Sequence, residues 1–167
     1  MASKHKQTSE TFTEIVFSIV RFRNLLSPHA GSPTTRHRMQ LVNPNEAVEL
    51  TERKNSENIL IHSGEATIRF TIKPDANNDV YFPIGIAFQL RRGKGKAVGG
   101  DILGRKDFSR EEVRLGANDL IIQASHFEGC GSTPGHRYKF SLFIQRERDG
   151  ALGVIDPGID NDPNLQH

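Results

Sequence analysis

The chain has 167 residues, of which 25% are charged and 35% hydrophobic, and its 22 Lys and Arg against 20 Asp and Glu leave a formal net charge of +2. Those figures fit one soluble domain of ordinary size, with no whole-molecule field that demands a nucleic acid or an anionic membrane. No run approaches the ~18 to 20 apolar residues of a membrane helix. No apolar leader core follows Met1-Ala2-Ser3-Lys4-His5-Lys6, and the single Cys130 excludes both a disulfide framework within the chain and a zinc site of several thiolates. The expectation is a cytoplasmic protein that does not enter a membrane.

Residues 1–12 read as a flexible N-terminal tail. Thr13 to Arg23 then presents Ile15, Phe17 and Ile19 at period two, and its β-branched and aromatic content favours a strand over a short helix. Residues 27–38 carry Ser27-Pro28, Gly31-Ser32-Pro33 and a Thr-Thr-Arg-His-Arg run without an apolar period, which predicts a loop. Asn43-Pro44-Asn45-Glu46 caps a helix through Ala47, Val48 and Leu50 on one reading. On the other, Val48 and Leu50 alternate in a strand.

From about residue 59 the period-two pattern dominates. Ile68, Phe70 and Ile72 alternate with Thr67, Arg69, Thr71 and Lys73, which puts the first set on a buried face. Pro74-Asp75-Ala76-Asn77-Asn78-Asp79 supplies a turn. Ile84, Ile86, Phe88 and Leu90 repeat the alternation and are expected to share that core, as are Leu120, Ile122 and Ala124. Gly93 to Gly104, rich in glycine and lysine, reads as a mobile loop. Tyr138, Phe140, Leu142 and Ile144 alternate in the clearest strand, with Phe143 as an apolar residue on its outer face. Asp149-Gly150 marks a tight turn into a short strand, Leu152 to Ile155, and residues 159–167 form a polar C-terminal tail. Seven or eight short strands with turn signals between them predict an all-β antiparallel Greek-key β-sandwich over residues 13–158, with at most one short helix.

One constellation carries chemistry. Ser125-His126-Phe127-Glu128-Gly129-Cys130-Gly131-Ser132-Thr133-Pro134-Gly135-His136 places a thiol and two imidazoles between two strands. In this it resembles the cupredoxin family of β-sandwich copper proteins, where a late strand delivers a Cys and a His follows in the next loop. The resemblance implies Cys130 and His136 as copper or zinc ligands, with His126 or His62 as the further imidazole, a donor set that suits a trigonal copper site. No methionine follows His136 to act as axial ligand, since the methionines are Met1 and Met39. Cys130 with a neighbouring imidazole also has the makings of a Cys-His nucleophile, but a Gly-Cys-Gly turn is a poor mount for one.

Arg91-Arg92-Gly93-Lys94-Gly95-Lys96 offers lysines and glycine amides to phosphate oxygens through Arg91, Arg92, Lys94 and Lys96. It lacks the Walker spacing, and it lacks interleaved aromatics for base stacking. A charged hairpin tip that discourages edge-to-edge sheet association explains it as well. The closing segment, Tyr138-Lys139-Phe140-Ser141-Leu142-Phe143-Ile144 followed by Gly150 and Val154-Ile155-Asp156-Pro157-Gly158-Ile159, looks like the end of small immunoglobulin-like domains of bacterial proteins. That resemblance implies an architecture rather than an activity. The resulting expectation is a non-catalytic module without a cofactor that binds a protein partner or copies of itself. A copper or zinc site and phosphate or nucleic-acid binding through the basic loop are the alternatives.

Overall fold

The computed structural model describes residues 12–27, 34–43, 48–53, 56–61, 65–90, 108–113, 117–125, 136–156 and 158–161. The protein is all-β. Its strands are β1 (Thr13–Arg21), β2 (Arg36–Leu41), β3 (Val48–Arg53), β4 (Ser56–Ile61), β5 (Glu65–Lys73), β6 (Tyr81–Leu90), β7 (Phe108–Val113), β8 (Asp119–Ser125), β9 (His136–Arg146), β10 (Leu152–Ile155) and β11 (Gly158–Asn161). No helix among the described residues is long and apolar enough to cross a membrane.

Five strands form one sheet in the order β2-β1-β5-β8-β7, in which β1 and β5 are parallel and the other pairs antiparallel. In the second sheet β9 is the axis. Strand β6 runs along one of its edges from Tyr81↔Arg146 to Leu90↔Tyr138. Along the other edge lie β10, opposite Leu142 to Gln145, and β11, opposite His136 to Lys139. Strand β4 joins β11 in parallel, and β3 completes the sheet.

The core is what the alternation demands. Ile15, Phe17, Ile68, Phe70, Ile72, Leu120 and Ile122 from the first sheet meet Ile59, Ile61, Phe140, Leu142, Ile144 and Ile155 from the second in one buried cluster. Phe70 stacks on Phe140 across the layers, with ring centroids 5.5 Å apart. The stripe of Ile15, Phe17 and Ile19 is thus buried within its own chain, between β2 and β5.

Three expectations change, and the choice left open between helix and strand at Val48 and Leu50 is decided. Residues 36–38, read as loop, are the start of β2: His37 turns inward 5.6 Å from the Phe17 ring and Met39 is buried, while Arg36 and Arg38 point to solvent. Val48 and Leu50 lie in strand β3 rather than in a helix. Ile84 is 41% exposed rather than in the core, because a β-bulge between Pro83 and Gly85 shifts the phase of β6 and sends Tyr81 and Pro83 inward instead. Residues 159–161, read as the start of a polar tail, belong to strand β11, which pairs with both β4 and β9.

Candidate functional site

The register gives the sandwich two unlike ends. At one, β4 stops at Ile61 and β5 starts at Glu65, β6 stops at Leu90 and β7 starts at Phe108, and β8 stops at Ser125 with β9 starting at His136. These termini stand together: Glu65 is opposite Ser125, Phe108 opposite Ala124, Leu90 opposite Tyr138, and Ile61 and His136 both face Asn161. Val48, where the connection 44–47 ends, is opposite Ile61. Four connections therefore leave the scaffold at a common end, including 91–107 and 126–135.

The residues singled out from the sequence fall on the connections that run between these termini. His62 follows β4, Arg91, Arg92, Lys94 and Lys96 follow β6, His126 and Cys130 follow β8, and all of these lie outside the described residues. His136 is the first residue of β9, where only its backbone register is described. The fold thus brings the strand termini that flank the thiol, the imidazoles and the basic run to one place.

At the opposite end lies a polar network whose residues the sequence pattern marks only as turns. Asp75 organises the β5–β6 turn. Its Oδ1 accepts the N–H groups of Asn77 at 2.8 Å and Asp79 at 3.0 Å, and its Oδ2 accepts the Tyr81 hydroxyl at 2.7 Å. Asn78 takes the left-handed conformation there, φ 60°, which asparagine tolerates. Burial alone would raise the Asp75 carboxyl, but the hydrogen bonds from Tyr81, Asp79 and Asn77 hold it below its ordinary range. Burial, and then the Asp75 carboxylate, push the Tyr81 phenol upward.

Arg146, at the end of β9, ties this turn to the β9–β10 hairpin. Its guanidinium donates to both carboxylate oxygens of Asp149, at 2.9 and 2.6 Å, which holds Asp149 at about 2. It stands 3.7 Å from Asp79 and lies 4.5 Å from the centroid of the Phe22 ring, and Arg148 reaches Asp79 at 3.3 Å. Glu147 N–H donates to the Val80 carbonyl at 2.9 Å, and Gly150 takes φ 68° to close the hairpin. The Asp75, Asn77, Asp79 spacing has the look of a cation loop. Here, however, backbone N–H groups, a phenol and arginines occupy its carboxylates. Among the described residues no three His, Cys, Asp or Glu side chains are grouped to hold a metal ion.

His37 is the remaining perturbed group. Burial lowers it below the usual imidazole range, against the pull of the Thr35 carbonyl and the charges of Glu57 and Asp156. Glu57 also caps the edge of β2 by accepting the Met39 N–H at 2.7 Å. The second of these contacts ties β2 to β4 of the second sheet. No family model matches the chain, and no curated protein matches it.

Proposed function

We propose that the protein is a non-catalytic interaction or assembly module that binds another protein, or copies of itself, through the end where the connections 44–47, 62–64, 91–107 and 126–135 leave the sandwich. The observation that carries this reading is the convergence of the strand termini at Ile61, Leu90, Ser125 and His136 on one end of a rigid scaffold. Sandwiches present recognition loops in this way, with the sheets fixing positions and the loops supplying contacts. At the other end, Asp75, Asp79, Asp149, Arg146 and Tyr81 are committed to each other.

The test is co-purification of a tagged full-length chain from its native source, compared with two variants. One carries alanine at Arg91, Arg92, Lys94 and Lys96, and the other carries Arg148→Ala at the far end. A partner present in stoichiometric amount, lost from the first variant and kept by the second, supports the reading. A partner kept by the first and lost from the second removes it, as does a stoichiometric metal that disappears on Cys130→Ser.

A further inference from the structure

We infer that the outer face of the five-stranded sheet, at Arg21, Arg36, Arg38 and Lys73, binds the phosphate backbone of a nucleic-acid duplex. This surface is separate from the end described above, and the inference stands independently of that reading.

The register assembles the site from three distant stretches of sequence. Arg36 is opposite Arg21, and Ser18 is opposite both Arg38 on one side and Lys73 on the other. Parity sets the direction of each side chain. Arg36 and Arg38 flank the inward His37, Ser18 sits between buried Phe17 and Ile19, and Lys73 follows buried Ile72, so all of these point outward. A bulge at Ile19/Arg21 leaves Val20 55% exposed and Arg21 beside Arg36. The four cations are exposed, and among the described residues none is ion-paired. Two acids of the same face are engaged elsewhere: Glu14 accepts the Thr71 hydroxyl at 2.7 Å, and Asp119 faces Arg69 at 3.5 Å.

The geometry favours phosphate. Strands ~4.8 Å apart and a rise of ~3.4 Å per residue put the Arg38 and Lys73 backbones about 10 Å apart and those of Arg36 and Arg38 about 7 Å apart. Ser18 and Gln40 add hydrogen-bond donors to this flat lattice of charge. A protein partner calls for an apolar centre with aromatic anchors, and an anionic bilayer for apolar side chains to insert. Among the described residues Val20 is the sole large aliphatic group exposed among these cations, whereas nucleic-acid interfaces are polar and strongly positive. Among the described residues no aromatic ring lies among the four cations to stack a base, so the duplex, with its higher charge density, is the form taken.

Fluorescence anisotropy of a short labelled DNA duplex with the full-length protein tests this. Four phosphate contacts give a slope of log affinity on log salt of about −3.6, a loss of roughly 150-fold between about 50 and about 200 mM salt. Arg36→Ala with Arg38→Ala should bring the slope to about −1.8, and Lys73→Ala alone to about −2.7. Single-stranded DNA of the same sequence should bind more weakly. The proposal is overturned by any of four results: no duplex binding at low salt, binding unchanged in variants whose thermal midpoint matches the parent, loss confined to a variant at Arg91, Arg92, Lys94 and Lys96, or tighter binding to phosphatidylserine vesicles or polyglutamate than to the duplex.

Discussion

Two strand glycines make opposite predictions for the same substitution. A Cβ added at Gly153 in β10 would stand 2.6 Å from the Phe22 ring, 3.1 Å from the Thr35 hydroxyl and 3.3 Å from the Arg23 carbonyl. Carbon atoms pack best at roughly 3.5 to 4.0 Å, so the ring must retreat by about 1 Å while backbone closes the other side. Phe22 has little room for that. It packs on Tyr81 with centroids 5.4 Å apart and carries the Arg146 guanidinium on its other contact, so its displacement disturbs the network that joins the two turns. The cost expected for Gly153→Ala is about 2 kcal/mol, within the range for overpacked cores. At Gly85 in β6 a Cβ meets nothing within 4 Å. Gly85→Ala should therefore be neutral or stabilising by up to about 1 kcal/mol, since alanine restricts the unfolded chain. Urea denaturation of both variants reads the difference directly. A matching thermal melt should place Gly153→Ala about 4 to 8 °C below the parent. Equal stability of the two variants would refute the placement of Phe22 beneath β10.

Phe70→Ala removes a fully buried ring that touches Phe17 and Phe140, and should cost about 3 to 5 kcal/mol in urea denaturation, whereas Arg148→Ala, on a side chain 59% exposed, should stay within about 0.5 kcal/mol of the parent. Tyr81→Phe deletes the hydroxyl that donates to Asp75 and should cost about 1 to 2 kcal/mol at neutral pH. Asp75 is depressed in the folded state, so its contribution is present above the unfolded carboxylate range and fades as pH falls through about 4; the gap between parent and Tyr81→Phe should narrow by about pH 3. His37 is depressed as well, and a folded imidazole below its unfolded range binds its proton later than the unfolded chain. Stability should therefore fall as pH drops below about 6.5, and His37→Gln should remove that slope from a pH series of unfolding free energies.

The sequence patterns were most legible where large apolar side chains alternate without interruption. Ile68, Phe70 and Ile72, and again Phe140, Leu142 and Ile144, show their strands and their buried face directly. Strand β2 hides because one of its inward residues is a histidine, so His37, Met39 and Leu41 do not register as an apolar period between Arg36, Arg38 and Gln40. The bulge at Ile84 and Gly85 cannot be read from composition; it reverses the phase of β6 and trades Ile84 for Tyr81 and Pro83 in the core. Strand β11 has Ile159 as its one large apolar residue and exists because β4 and β9 leave a slot between them. Local patterns likewise identify basic or thiol-bearing segments but not which of them are neighbours. Strand register joins Arg21, Arg36, Arg38 and Lys73 on one face, and gathers the strand termini around the connections at 62–64, 91–107 and 126–135 at one end.

Native mass spectrometry of the full-length protein, purified from its native source without chelators, tests the binding-module account most directly. The account predicts the mass of a complex with a protein partner or with further copies of the chain, free of stoichiometric metal and dissociated by alanine at Arg91, Arg92, Lys94 and Lys96. A lone chain carrying one metal ion that is lost on Cys130→Ser would contradict it.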